Sequence, residues 1–147
     1  MSLEELLRDR LIRKIRVDKN LVRKSFLIAK RDLNTAEKVF ESRSYSWSLA
    51  IAYNSMLQAG RALMFLNGFK PTNRYQHIAV VKFVHIVFGK EITDRMINIF
   101  DRLREKRHKV VYEEVDIISE DEARNAIEWA HEFVSKVEEI LRRKKII

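Results

Sequence analysis

Glycine and proline, the residues that most often end helices and form tight turns, are rare in this chain. Its 147 residues include three glycines and one proline. Leucine, alanine, glutamate, lysine and arginine, which favour helices, are abundant. Few positions are therefore left for β-hairpins, and we predict an all-α fold. The length is that of one domain with a core of its own.

Apolar residues recur at helical spacing along most of the chain, and they predict an antiparallel bundle of four to five helices. The predicted bundle helices are Leu21 to Glu41, Tyr45 to Asn67, a segment capped by Thr72 or Asn73 that ends near Phe88, a segment from about Glu91 into Asp101–Glu113, and Glu120 to about Lys144. The second of these is almost continuously apolar and should be the most buried. Gly68 suits the left-handed residue that ends it, and a loop should follow from Phe69 to Asn73.

An extra basic helix is predicted before the bundle. Leucines and isoleucines from Leu3 to Ile15 lie at helical spacing, and the opposite face carries arginines and a lysine. We expect this helix to pack on its own domain or on a second copy of the chain rather than on a membrane. The predicted division is residues 1–19 for this segment and residues 20–147 for the bundle.

The charge of the chain restricts its partners. A formal net charge of +8 and a sequence pI near 9.8 favour acidic partners such as nucleic acid. A membrane-spanning helix needs about 20 mostly apolar residues, and the sequence has no such segment. Because cysteine is absent, disulfides and cysteine-ligated zinc are excluded. The first residues do not resemble a signal peptide, so we predict a cytoplasmic protein without metal or cofactor.

The segment Asp101–Glu113, which reads DRLREKRHKVVYE, carries the candidate site. Arg104, Arg107 and His108 share one face of its helix, and Lys109 adds another cation. Guanidinium groups bind phosphate oxygens in a fork, and an imidazole moves protons near neutral pH. These residue types therefore predict a phosphate-binding site. His77 and His85 lie on a mostly apolar helix, and we expect them to pack rather than to bind metal.

The order of several segments resembles the HEPN domain family. The resemblance rests on AKRDLNTAEKVFESRSYSWSLAIAYNSMLQAGRALMFLNGFKP, then NRYQHIAVVKFVHIVFG, then RHKVVY, and it covers roughly Asn20 to Leu141. It implies a helical bundle that forms homodimers, often as the partner of a small nucleotidyltransferase of the MNT type in toxin–antitoxin pairs. Active members of the family are metal-independent endoribonucleases with an Arg, a polar residue, three to five further positions and a His.

Carried over to this chain, that motif places Arg107 at the Arg position and His108 at the polar position. Tyr112 stands where the terminal His is expected. A phenol with an ordinary pKa near 10 is a poor base at neutral pH, although it donates hydrogen bonds. Arg107 and Tyr112 are also about 140° apart around a straight helix, so we do not expect them to converge within one chain.

A second alignment of the motif pairs Arg102 with His108 and leaves Leu103 in the polar position. We prefer the first alignment because its polar position and flanking residues fit better. The candidate catalytic residues are then Arg107, His108, Tyr112 and Arg102, and the candidate phosphate ligands are Arg104, Arg107 and Lys109.

Together these features favour an RNA- or nucleotide-binding module, or the partner of a nucleotidyltransferase, with little or no catalysis. The alternative is an active endoribonuclease toxin that uses an arginine and His108. Two further alternatives stay open at this stage: Tyr112 as the acceptor of a nucleotidyl group, and a helical interaction domain without a nucleic-acid partner.

Overall fold

Six α-helices and a short antiparallel ribbon make up the part of the chain that the computed structural model describes, residues 1–113 and 117–147. The helices are α1 (Leu3–Arg8), α2 (Lys19–Glu41), α3 (Tyr45–Leu66), α4 (Ile78–Phe88), α5 (Asp94–Tyr112) and α6 (Glu120–Arg143). The strands are β1 (Ile12–Lys14) and β2 (Phe69–Pro71), and a 3₁₀ helix (Asn73–Tyr75) precedes α4. The prediction of an all-α bundle is confirmed.

Helices α2 and α3 form an antiparallel hairpin at the centre of the bundle. The Asp18 carboxylate accepts a hydrogen bond from the Asn20 N–H and caps α2. Helix α3 buries residues on all its sides, as predicted from its apolar sequence. The buried Ser48 hydroxyl donates to the Ala36 carbonyl oxygen at 2.9 Å, so a polar group inside this hairpin is satisfied.

Helix α6 covers the hairpin with an apolar face that runs along its whole length. The buried residues of that face are Ala123, Ala126, Ile127, Ala130, Phe133, Val134, Val137, Ile140 and Leu141. At its start, Ser119 and Glu122 form the predicted capping box, which satisfies two backbone N–H groups reciprocally. Both the start of α6 and its apolar face were therefore predictable.

Helices α4 and α5 begin later than predicted. The Thr72 side chain does not cap a helix, because its hydroxyl donates to the Arg10 carbonyl oxygen at 2.7 Å. The 3₁₀ helix follows, and α4 starts at Ile78. Helix α5 starts at Asp94, where the Thr93 hydroxyl caps it by accepting from the Met96 N–H.

The N-terminal helix is much shorter than predicted. It ends at Arg8 in a Schellman motif, in which the Leu11 N–H donates to the Leu6 carbonyl oxygen at 3.0 Å and Arg10 takes a left-handed φ of 60°. Burial of both leucines favours this early end. The expectation of a helix to Ile15 was wrong, because the residues after Leu11 pair with another strand.

Strand β1 pairs with β2, where a loop was predicted. Ile12 lies opposite Pro71, and Arg13 lies opposite Lys70. Ile12 and Pro71 are buried, so the ribbon packs on the bundle through that pair. Gly68 precedes β2 with a φ of 79°, as predicted for the residue that ends α3. The division of the chain at residue 19 remains a prediction.

No helix in the described part of the chain is both long and apolar enough to cross a membrane.

Candidate functional site

A groove of about 420 Å³ lies between the start of α4 and the second half of α5. Its lining comprises Asn73, Arg74, Tyr75, Gln76, His77 and Ile78 from one side and Arg104, Arg107, His108 and Tyr112 from the other. Among these described residues there are three arginines and two histidines but no carboxylate. The groove is therefore a positively charged surface with aromatic side chains.

Four of the residues predicted for the site line this groove together. Arg107 and His108 lie three and four positions after Arg104 on α5, so both share a helix face with Arg104. Tyr112 follows His108 by one turn and extends the same face. The preferred alignment of the motif thus corresponds to residues that are close in space.

Arg102 and Lys109 lie outside the groove. Arg102 is exposed and lines a separate cavity between α5 and α6, together with Trp129. Lys109 is exposed and is not among the residues that line the groove. The second alignment, which pairs Arg102 with His108, therefore joins side chains that do not line the same groove.

Tyr112 is an exposed part of the groove wall, with 67% of its surface accessible. Its ring centroid lies 4.8 Å from that of His108 and 6.0 Å from the guanidinium carbon of Arg107. Long helical side chains lean toward the N-terminal end of the helix, which brings the ring back over the preceding turn. The expectation that Arg107 and Tyr112 stay apart within one chain was therefore wrong.

Arg107 is the α5 arginine of the groove whose charge is left without a carboxylate partner among the described residues. It is partly buried, and its Nε atom is buried without a hydrogen-bond partner among the described residues. Arg104 instead donates from Nε to Asp101 Oδ1 at 2.8 Å, so its charge is partly compensated. No carboxylate in the described ranges lies within ion-pair distance of Arg107.

His77 closes the groove on its inner side and connects it to the bundle core. Its Nδ1 atom lies 2.9 Å from the hydroxyl of the buried Tyr53. Burial, followed by the charges of Arg107, Arg61 and other nearby cations, lowers the pKa of His77 to about 4. The imidazole is therefore neutral at physiological pH. Burial also raises the pKa of Tyr53 well above its ordinary value, so its hydroxyl keeps its proton.

Arg61 of α3 is hydrogen-bonded to a residue that lines the groove. It donates from Nη2 to Gln76 Oε1 at 3.2 Å, and burial lowers the pKa of its guanidinium group. With Arg104 and Arg107, it produces a positive field that disfavours another proton on His77. A field of this sign attracts phosphate.

Sequence reasoning missed the contribution of the α4 side of the groove. His77 was expected to pack in an apolar helix, but it lies just before the first residue of α4 and lines the groove. The available signal was the polar run from Asn73 to His77, which separates β2 from the apolar sequence of α4. A run of this kind is typical of an exposed segment that carries functional side chains.

The described part of the chain contains no group of three or more His, Cys, Asp or Glu side chains arranged to hold a metal ion. The groove instead offers guanidinium groups, imidazoles and phenols. These groups can bind phosphate by charge-assisted hydrogen bonds and can stack on bases.

A family model for the HEPN domain matches residues 22–140 of the chain. The chain belongs to the HEPN domain family. The match extends from α2 to near the end of α6, so this HEPN bundle includes both walls of the groove, whereas α1 and β1 precede it. The predicted family is confirmed. None of the curated proteins matches the chain significantly.

Proposed function

We propose that this HEPN protein binds RNA or a nucleotide in the groove between α4 and α5 and holds it without cutting it. The observation that carries the proposal is the lining of the groove, where Arg74, Arg104 and Arg107 stand together with no carboxylate among the described lining residues. Of these three, only Arg104 has a carboxylate partner, Asp101, in the described residues, so the charges of Arg74 and Arg107 are uncompensated when no anion is bound. A bound phosphate group would compensate them.

The chemistry of the groove suits a nucleotide rather than a bare anion. Arg107 can bind two phosphate oxygens in a fork. Tyr75 and the exposed ring of Tyr112 offer faces on which bases can stack. Arg74 lies 5.6 Å from the Tyr75 ring centroid, so charge and stacking surface are adjacent on both walls.

The groove lacks a histidine at the position where the family motif has its terminal His. Tyr112 occupies the motif position where a His is expected. His77, with a pKa of about 4, is a weak base at neutral pH. Attack by a 2′-hydroxyl requires a group that accepts its proton, and general bases work best when their pKa is near the operating pH. Tyr112 and His77 therefore favour binding over cleavage, and cleavage would need His108, at the polar position of the motif, as its base.

The binding proposal is tested with Arg107→Ala and a matched control, Arg102→Ala, which removes an exposed arginine of the same helix outside the groove. Fluorescence anisotropy with a labelled uridine trinucleotide should give a dissociation constant at least about tenfold higher for Arg107→Ala, because a hydrogen bond to a charged group contributes about 1.5–3 kcal/mol. The control should stay within about twofold of the wild type. Equal affinities of wild type and Arg107→Ala would exclude the groove as the binding site.

A second candidate function is a metal-independent endoribonuclease, since His77 and His108 line the same groove as Arg107. In that case His108 would transfer the proton and Arg107 would stabilise the charged phosphorane. RNA incubated with the protein in EDTA would then yield 2′,3′-cyclic phosphate ends, and His108→Ala would abolish them. Equal product from wild type and His108→Ala would rule this candidate out.

The homodimer and the nucleotidyltransferase partner of the MNT type also belong to the proposal, as do a toxin–antitoxin role and a cytoplasmic location. Tyr112 is exposed enough to receive a nucleotidyl group from such a partner. Light scattering measures the oligomeric state, and a monomer at micromolar concentration would contradict the homodimer. Mass spectrometry after co-expression with the partner shows whether Tyr112 carries a nucleotidyl group, and an unmodified Tyr112 would contradict that transfer.

A further inference from the structure

A second cationic surface lies on the β1–β2 ribbon and the segments around it. We define this basic ribbon by Arg10, Arg13, Lys14, Arg16 and Lys70. The first four side chains are exposed, and Lys70 is partly buried. None of the five forms an ion pair with a carboxylate in residues 1–113 and 117–147.

The cations of α6 differ in this respect, because all four of them are paired with carboxylates. Lys106 binds Glu122 at 2.8 Å, and Arg124 binds Glu120 at 2.8 Å. The positive charge of the chain is therefore compensated along α6 and left uncompensated on the ribbon. An uncompensated patch of this kind is the electrostatic signature of a polyanion-binding surface.

The pairing of the two strands places like charges together. Arg13 lies directly opposite Lys70 in the antiparallel register, and side chains at opposed positions project from the same face of a sheet. Like charges in that arrangement are destabilising. A bound phosphate would relieve this repulsion.

The ribbon leads directly into the groove. Thr72 follows β2, its N–H donates to the Leu11 carbonyl oxygen at 2.9 Å, and its hydroxyl donates to the Arg10 carbonyl oxygen at 2.7 Å. The next residue, Asn73, already lines the groove. Lys70 precedes Asn73 by three residues, which corresponds to about 10 Å of extended chain. The two cationic surfaces are thus neighbours.

We propose that the basic ribbon binds the phosphate backbone of the same RNA strand whose nucleotide occupies the groove, so that the protein contacts a longer stretch of RNA than the groove alone can hold. This inference rests on the proposed function of the groove. The groove binds one or a few nucleotides. The ribbon adds affinity that increases with the length of the RNA strand and does not depend on its sequence.

The ribbon suits a polyanion in solution better than a membrane surface. A membrane-bound element combines cations with an apolar face that enters the lipid. Ile12 and Pro71 are buried against the bundle, and Phe69 is partly buried, so the two strands expose no apolar side chain. Val17, which follows Arg16, is exposed, but a single valine does not form an apolar face.

The test compares two double variants of the full chain. Arg10→Gly with Arg13→Gln removes two charges from the ribbon. Arg43→Gly with Lys38→Gln removes two exposed charges at the far end of the α2–α3 hairpin, and α3 has 22 residues, or about 33 Å. Arg43 has a φ of 66° after α2, as Arg10 has 60° after α1, so both variants place glycine at a left-handed position.

Anisotropy is measured with a uridine trinucleotide and with an oligouridylate of about 12 nucleotides, a length within the range of single-strand binding sites. The ribbon variant should bind the longer strand about tenfold more weakly than wild type does. The slope of log K against log salt should also decrease by about 0.7 for each lost contact. Its affinity for the trinucleotide should not change, and the control variant should match wild type with both probes. Thermal melting should show no loss of stability, since the ribbon changes remove a strained conformation and a repulsion.

Failure of this inference is distinguishable from failure of the groove proposal. Equal binding of the longer strand by the ribbon variant and the control would overturn the inference, while loss of trinucleotide binding in Arg107→Ala would still support the groove. Wild-type binding to phosphatidylserine vesicles that the ribbon variant loses, without any binding of the longer strand, would also overturn it and would assign the ribbon to a membrane. If Arg107→Ala binds both the trinucleotide and the longer strand with wild-type affinity, the groove proposal fails. The inference that one RNA strand contacts both the groove and the ribbon then fails as well.

Discussion

His77 is the side chain through which the groove and the bundle interior are connected. One side of its environment is the buried Tyr53 hydroxyl, and the other is the cationic groove with Arg107. Both disfavour a proton on the imidazole, the first by desolvation and the second by repulsion. The pKa of His77 should therefore rise if the imidazole becomes exposed to solvent or if an anion binds in the groove.

We predict that His77 stays neutral down to a pH near 4, whereas an ordinary histidine has a pKa of about 6.5. Because the folded-state pKa is lowered, the unfolded chain binds more protons between these two values. The free energy of unfolding should therefore decrease as pH falls from 6.5 toward 4, with no further contribution from this residue below that range. NMR titration of the imidazole resonances measures the pKa, and urea unfolding at several pH values measures the stability.

His77→Asn should remove this contribution to the pH dependence. His85→Asn serves as the control, because His85 lies on the other end of α4 and its nearest acidic partner is Asp94 at 3.3 Å. A midpoint near 6.5 for His77 in the free protein would contradict the prediction. A bound phosphate should raise the pKa of His77, since an anion in the groove favours the charged imidazole.

Among the individual residues of the groove, those on α5 were identified from the sequence, and those from Asn73 to Ile78 were missed. Arg104, Arg107 and His108 were predictable because residues three and four apart share a helix face. His77 and Tyr53 were not, since they are 24 residues apart and meet only when α4 packs against α3. Local periodicity carries no information about which helices become neighbours.

The contact between α3 and α4 depends on a glycine in the middle of α3. A Cβ atom added at Gly60 would lie 2.5 Å from Val80 Cγ1, and also close to Val84 and Phe100. Val80 is fully buried and branched at Cβ, so it has little freedom to move aside. Gly60 therefore sets how closely α4, and with it His77, approaches the hairpin.

Gly60→Ala should destabilise the protein by roughly 1 kcal/mol. Alanine gains about 1 kcal/mol over glycine inside a helix, but overpacking a core costs about 1–3 kcal/mol. A double-mutant cycle with Val80→Ala tests the cause, because the smaller neighbour makes room for the new methyl group. Urea unfolding of the four proteins should show a smaller cost of Gly60→Ala in the Val80→Ala background, and an equal cost in both backgrounds would mean that the two residues do not compete for space.

Among the elements, those with strong local signals were predicted best. Helices α2, α3 and α6 were found because each has a continuous apolar pattern, and α6 also has a capping box. The ribbon was missed because each strand has only three residues and its partner lies far along the chain. The early end of α1 was missed for a related reason: Arg10 occupies a left-handed position that usually holds glycine, so the sequence carried no stop signal.

At the scale of the whole molecule, a series of aromatic contacts joins the last helix to the groove. The Phe133 ring of α6 lies 5.0 Å from the Phe100 ring of α5, and Phe100 lies 5.7 Å from the ring of Tyr53, which in turn contacts His77. All three of these core rings are fully buried. The groove therefore depends on the same core that holds the bundle together.

Phe133→Ala should lower the free energy of unfolding by about 3–5 kcal/mol, the range for truncating a buried phenylalanine. Leu27→Ala is the control, because Leu27 is 65% exposed on α2, and it should change stability by less than about 0.5 kcal/mol. In urea unfolding, far-UV circular dichroism reports the bundle, and the NMR signal of His77 reports the groove. Coincident transitions for both probes in wild type and variant are expected of one cooperative unit. If the His77 signal is lost at a lower urea concentration than the helical signal, the groove opens separately, and the aromatic series does not couple it to the core.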